Sequence, residues 1–338
     1  MELVPFSKAT SVGRLGSHVY QVNLVDSFCI GTVPNGGYVA SCILKAASFH
    51  LAERGQKDVL NAHFQFLNRT ETGPALIVIE DVKLGKNLST IHATLYQHAL
   101  LPETPYITPG STRKEVAVYL TMTDLSKQRG ISLPTAFTEL HSSSPALPRP
   151  DFAALKEDRD RHWTRSRMPG SGPLSYARCL LNSVYHDPRD GQPAPSVIIK
   201  WVRLASGENF TAASLGYVSD CWPYVVEAQR PSKKEAEERR RRGESVPLPP
   251  DLRLWYPTVV LNLEVKKALP EQGLEWLQLR IHSKQIKDGR FDLEVLILDE
   301  NGDLVAISNH VNLILGSERN TAKRSTGSDK AKGPPSRI

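Results

Sequence analysis

One plan of strands and turns occurs twice in this chain, which limits it to folds whose halves mirror each other. Residues 61–96 read as a strand, the turn Glu71-Thr72-Gly73-Pro74, a strand IVIEDVKL, the turn Gly85-Lys86-Asn87, and a strand STIHATLY. Residues 258–298 repeat it as TVVLNLEV, a turn at Pro270-Glu271-Gln272-Gly273, LQLRIHSKQI, the turn Lys287-Asp288-Gly289, and FDLEVLIL. A further strand closes each copy, VAVYLTM from Val116 and VAISNHVNLIL from Val305.

The first copy opens with the alternating strand HVYQVNLV and the turn Thr32-Val33-Pro34-Asn35-Gly36-Gly37. The stretch YVASCILKAASFHLAERG follows, apolar on nearly every side of a helix, so it predicts a helix enclosed by strands. Residues 97–113, with three prolines, read as a long loop. The second copy opens with SVIIKWVRL and a helical region from about Phe210 to Ala228. The expected organisation is a first domain over 1–124, a Pro/Ser-rich connector over 125–194 with a short helix near Tyr176–Val184, a second domain over 195–316, and a disordered basic tail over 317–338.

Composition narrows the function. With 338 residues, 40% hydrophobic and 23% charged, the chain has a globular make-up. Its net charge of +6 is concentrated in the tail, where six basic residues face two acidic ones, so no nucleic-acid partner is expected. Arg239–Arg242 sit on a helix opened by a Ser232/Glu235 capping box. Glutamates 235, 237 and 238 stand four residues before Arg239, Arg241 and Arg242, which favours a solvated face. The four cysteines lack metal-ligand or disulfide spacing, so no metal site is expected. No run reaches membrane-spanning length and no leader pattern opens the chain, so the expectation is an intracellular soluble protein. Gly85–Thr90 lacks the upstream glycine of a phosphate loop and reads as a hairpin turn, and no GxSxG, HExxH or dinucleotide fingerprint occurs. No cofactor is expected.

Three stretches, GTVPNGGYVASCIL, FQFLNRTETGP, and IKWVRL followed by LGYVSDCWPYVVEA, occur in the order and spacing of a known family. The chain resembles the double-hotdog acyl-CoA thioesterases, type II thioesterase-like, in particular their divergent members. The likeness covers about 10–124 and 195–316. It implies an α+β tandem hotdog, each half a long antiparallel sheet wrapped around a central helix. It also implies an acyl-CoA or acyl-carrier thioester as substrate, bound between the copies, and a possible homodimer.

In that family an Asp at the start of the second central helix, a Thr opening the next strand and a Gln in the last strand position and activate a water. Carried over, these are Asp220 in Tyr217-Val218-Ser219-Asp220, Thr258 in Tyr256-Pro257-Thr258-Val259, and His310 at the Gln place after Val305-Ala306. The histidine is a departure from the pattern: imidazole keeps a donor and an acceptor and adds a titratable group. Each residue has a structural alternative: a helix N-cap for Asp220, a β-branched strand residue for Thr258, a solvent-facing position for His310. Aligning the closing strands sets Thr121 opposite His310 and Asn61 opposite Thr258, so the first copy lacks the trio. Asn35, Gly36, Gly37 and Tyr38 bring backbone N–H groups to a helix N-terminus, suited to substrate contact, or form only a tight turn.

The expected function is thioester hydrolysis. Two alternatives keep the fold: a dehydratase, isomerase or cyclase acting on a polyketide-like intermediate, motivated by His310, and a non-catalytic acyl-ligand binding protein. The ending Ser336-Arg337-Ile338 resembles a loosened peroxisomal address, so the expected location is cytoplasmic or peroxisomal.

Overall fold

The structure, a computed structural model, describes residues 3–135, 137, 147–166 and 176–322. The first half comprises β1 (Val19–Leu24), α1 (Gly36–Leu51), β2 (Asp58–Phe66), β3 (Gly73–Leu84), β4 (Ser89–Gln97) and β5 (Arg113–Thr123). The second comprises β6 (Ser183–Pro188), β7 (Val197–Leu204), α2 (Leu215–Asp220), α3 (Lys233–Arg241), β8 (Thr258–Val265), β9 (Leu277–His282), β10 (Arg290–Leu298) and β11 (Leu304–Leu313).

Among the described residues these eleven strands form the main path of a 14-stranded sheet, β1-β3-β4-β5-β2-β8-β11-β10-β9-β7-β6; Gly13–Arg14 and Trp163–Arg165 extend its two ends, and Ile286–Lys287 pairs with β10. The order is palindromic about the β2–β8 seam. There β2 and β8 pair antiparallel, from Val260 opposite Gln65 to Glu264 opposite Asn61, with His63 and Asn262 facing each other and hydrogen-bonded through their side chains. Both halves thus share one continuous sheet, which removes the open edge each would present alone.

The central helix α1 has the expected all-round burial: Tyr38, Val39, Ala40, Ile43, Leu44, Ala46 and Ala47 are in the core, and the strands enclose them. Its partner α2 spans only six residues. Pro223 explains the early stop, since it offers no N–H and disfavours helical backbone at Trp222. The expected helix from Phe210 to Ala228 is therefore split, with short 3₁₀ turns at Ala212–Ser214 and Glu227–Gln229. The two helices cross with their backbones in near contact. A Cβ on Gly37 would lie 2.4 Å from the Gly216 carbonyl oxygen, and one on Gly216 2.8 Å from Ser41 N.

Two domain boundaries need correction. The segment 125–194 is not only a connector: β6 pairs with β7, and Trp163–Arg165 pairs with β6, extending the sheet. The expected short helix is a 3₁₀ turn at Arg178–Asn182. Nor does the tail begin at 317. Glu318–Thr321 is helical and Asn320 is fully buried, its side chain donating to the Ile30 carbonyl and accepting from Thr32 N, both at 2.8 Å. Those two bonds satisfy backbone groups of the Ile30–Thr32 turn and tether the segment. Residues 323–338, with Ser336-Arg337-Ile338, lie outside the described residues. Among the described residues no helix is long and apolar enough to cross a membrane.

The α3 capping box forms as expected. Among the described residues its i,i+4 pairs do not close to ion-pair distance; Arg242 instead meets Glu244 at 2.6 Å.

Candidate active site

Asp220 ends α2, and it is not an N-cap. A carboxylate at a helix C-terminus faces the negative end of the dipole, which is unfavourable. The neighbouring helix compensates. Oδ2 of Asp220 accepts from Gly37 N at 2.8 Å and from Asn35 Nδ2 at 3.2 Å, both at the positive N-terminus of α1. Asn35 also caps α1, its Oδ1 accepting from Tyr38 N at 2.9 Å. The other oxygen, Oδ1, accepts from Thr258 Oγ1 at 2.8 Å and lies 3.6 Å from His310 Nδ1.

The structure thus brings Asp220, Thr258 and His310 together, and the strand reading that turned His310 to solvent does not hold. Ser308, His310 and Asn312 line the inner face of β11, while Asn309 and Val311 face out. His310 stands behind Asp220. Asp220 and Thr258 line a cavity of about 590 Å³ with Asn35, Gly36, Phe66 and Trp255, and His310 is not among its lining residues. The cavity sits between the two halves.

The Asn35–Tyr38 group divides. Asn35 and Gly36 face the cavity, the N–H of Gly37 is engaged by Asp220, and Tyr38 belongs to the core. The Tyr38 hydroxyl donates to Ala9 O at 2.7 Å, its ring stacks on Phe28, and burial pushes it well above the ordinary phenol range. The turn Thr32–Gly37 therefore does more than reverse the chain, but Tyr38 offers nothing to a ligand. Cys221, next to Asp220, is buried and its thiol is pushed up to about 12, so it is no thiolate at neutral pH.

The strand registers show what the first half puts in the same places. Each seam strand carries an irregularity at one point, between Val59 and Asn61 in β2 and between Thr258 and Val260 in β8. Superposing these sets Val59, not Asn61, on Thr258, and Leu120, not Thr121, on His310, because Ala62 faces Leu120 as Leu261 faces His310. The bulge falls at the same point in both copies; the Val116-Ala117 and Val305-Ala306 pairs are one residue out of register, since Val116 faces Phe66 as Ala306 faces Val265. The helices align as Gly37-Tyr38-Val39-Ala40-Ser41 on Gly216-Tyr217-Val218-Ser219-Asp220, putting Ser41 on Asp220. This short repeat was readable in the sequence and is a stronger internal match than any strand. The first half therefore holds Ser41, Val59 and Leu120 where the second holds Asp220, Thr258 and His310. The corresponding space, lined by Val59, Leu125, Leu215 and Val265 among others, has shrunk to about 30 Å³. One half of the pseudo-symmetric fold holds an open cavity beside Asp220, and the other is nearly closed.

A palindromic sheet wrapped around two crossed helices defines a tandem hotdog protein. The chain belongs to the acyl-CoA thioesterase family: residues 24–121 match the acyl-CoA thioesterase N-terminal domain and residues 119–314 the acyl-CoA thioesterase C-terminal domain. It is 45% identical over 345 residues to the thioesterase-like protein TwmA of Talaromyces wortmannii, covering 96% of each chain. Similar solved structures include a hot dog fold protein of Alicyclobacillus acidocaldarius (TM-score 0.65, 17% identity, 91% of this chain and 97% of that one). Another is the acyl-CoA thioesterase II TesB2 of Mycobacterium marinum (TM-score 0.58, 17% identity, 92% and 98%). At those identities the two structures speak for the fold.

Proposed function

We propose that the chain hydrolyses the thioester of an acyl-CoA, or of an acyl group on a carrier, to free acid and thiol. The observation that carries this reading is the Asp220 carboxylate, held by Thr258 on one oxygen and by the α1 N-terminus on the other, open to the 590 Å³ cavity. A carboxylate fixed from both sides has one orientation in which to receive a proton from water. Thr258 gives its own proton to Asp220, so its lone pairs are left to accept from that water and aim it.

In the reaction the water oxygen bonds to the thioester carbon as its proton passes to Asp220. The carbonyl oxygen becomes an oxyanion at the first turn of α1, where the N–H of Gly36 has no intrahelical acceptor. The C–S bond then breaks and the thiolate takes the proton from Asp220. Asn35 and Gly36 bind the reacting group, and the apolar walls at Ile30, Phe66 and Trp255 suit an acyl chain. Arg69 and Arg319 at the cavity wall suit the phosphate of a pantetheine arm.

A panel of acyl-CoA substrates assayed for thiol release, beside a thermal-shift screen with the same ligands, tests this reading. Hydrolysis releases thiol from at least one of them, and ligand stabilisation without turnover would instead indicate a binding protein. Thiol release that survives both Asp220→Asn and Thr258→Ala would remove the site assignment.

A further inference from the structure

The inner face of β11 carries a contact chain that thioester hydrolysis by Asp220 and Thr258 does not itself require. Ser308 Oγ lies 2.9 Å from the Asn262 carbonyl oxygen and 2.7 Å from His310 Nε2. A hydroxyl has one proton to give, and a carbonyl oxygen can only accept. If Ser308 gave its proton to Nε2, two acceptor oxygens would face each other at 2.9 Å. The ring proton would then sit on Nδ1, aimed at an Asp220 oxygen 3.6 Å away, beyond hydrogen-bond length. If Ser308 donates to Asn262, its lone pair accepts Nε2–H and both contacts are satisfied.

That arrangement leaves Nδ1 of the neutral ring without a proton. The atom is buried, has no hydrogen-bond partner among the described residues, and stands against Asp220 Oδ1. Nδ1 therefore turns its lone pair toward the Asp220 carboxylate. The contacts Ser308–His310–Asp220 resemble a nucleophile triad in order, but Ser308 is fully buried and does not line the cavity, so substrate cannot reach it.

We propose that Ser308 is a positioning residue: anchored on the Asn262 carbonyl, it holds His310 as the Nε2–H tautomer, so that the Nδ1 lone pair faces the Asp220 carboxylate that takes the proton from water. The inference rests on the hydrolytic reading for its role in turnover, but the tautomer stands independently of it. The proton leaves the water oxygen as that oxygen bonds to the carbonyl carbon, resides on Asp220 with the Nδ1 lone pair facing it, and passes to sulfur when the C–S bond breaks. No further reactant enters.

Nitrogen-15 NMR of the full chain, labelled at histidine, tests the tautomer directly, with the His310 signals assigned by their loss in His310→Gln. The wild type and Ser308→Thr, which keeps the hydroxyl, show Nε2–H; Ser308→Ala shifts the ring toward Nδ1–H. In the thiol-release assay Ser308→Ala lowers kcat about 10-fold at unchanged KM, below the ~100-fold or more that positioned proton transfer contributes, and Ser308→Thr restores it. A wild-type ring protonated at Nδ1 overturns the proposal whatever the activity. An unchanged tautomer and kcat in Ser308→Ala overturn it equally. An Nε2–H ring in a chain that releases no thiol supports the tautomer assignment and overturns the hydrolytic reading instead.

Discussion

Thr258 Oγ1 donates to Asp220 Oδ1 across 2.8 Å, joining the first residue of β8 to the last residue of α2. The bond ties a sheet to a helix end and fixes the carboxylate at the cavity wall. Asp220→Asn keeps the shape and lets the amide oxygen still accept from Gly37 N, while the new NH₂ faces Thr258 and His310 Nδ1. We expect thiol release to fall about 100- to 10,000-fold, the range of a lost general base, with Tm little changed. Thr258→Ala lowers activity less, and Thr258→Ser retains most of it; steady-state kinetics beside thermal melts check all three.

The helix crossing leaves no room at Gly37. A methyl there would lie 2.4 Å from the Gly216 carbonyl oxygen and 2.7 Å from Asp220 Cβ, and neither backbone can yield without parting the helices. Gly37→Ala should cost about 1–3 kcal/mol by overpacking and displace Asp220, lowering stability and activity together. At Gly36 the nearest atoms are Asp220 Oδ2 at 3.0 Å and the Phe66 ring at 3.2 Å, so Gly36→Ala is milder and acts mainly on the cavity. Urea melts and thiol release measured on both variants separate the two effects.

The parts legible in the sequence were those set by local pattern: the enclosed α1, the hairpins, the Ser232/Glu235 capping box, and the all-apolar run that demanded strands around a helix. What escaped depended on atoms distant in the chain. Nothing local says that Asp220 ends a helix and finds its donors at Gly37 and Asn35, 183 and 185 residues away. The bulges after Val59 and Thr258 break the alternation, so that Val59 and Ala62, three residues apart, are both buried. The inward turn of His310 required knowing which face of β11 meets α2, and Ser308 gained meaning only beside it. Asn320 looked like part of a solvated basic tail because its partners, Ile30 and Thr32, lie nearly 300 residues earlier.

Away from the cavity, Lys200 is a buried cation with one carboxylate partner. Its ammonium contacts Asp187, bonds Ser166 Oγ at 3.0 Å and lies 3.9 Å above the Trp222 ring. Burial pushes it below the ordinary lysine range and Asp187 opposes that. Asp187→Ala leaves the charge unpaired and should cost about 3 kcal/mol, whereas Lys200→Met, which removes the charge and keeps the length, costs less. The order of the two urea midpoints is the test; a larger loss in Lys200→Met would show that the ion pair itself, not the stranded charge, stabilises this edge of the sheet.

His186 supplies a pH dependence of stability. It lies buried in β6 beside Trp276, and burial lowers its pKa to about 4, with Asp158 opposing and Arg203 and Arg165 reinforcing the shift. The unfolded chain binds a proton at this ring near pH 6.5, while the folded chain resists it until about pH 4. Between those values the unfolded state holds more protons, so this residue's contribution falls as the pH drops from 6.5 toward 4 and is constant above 6.5. His186→Gln removes the titration. The difference in unfolding free energy between wild type and His186→Gln should therefore be flat from pH 8 to 7 and shift against the wild type from pH 6.5 to 5. Urea melts at each pH measure it, and a difference that does not change across that window would show that the ring is not held neutral by the fold.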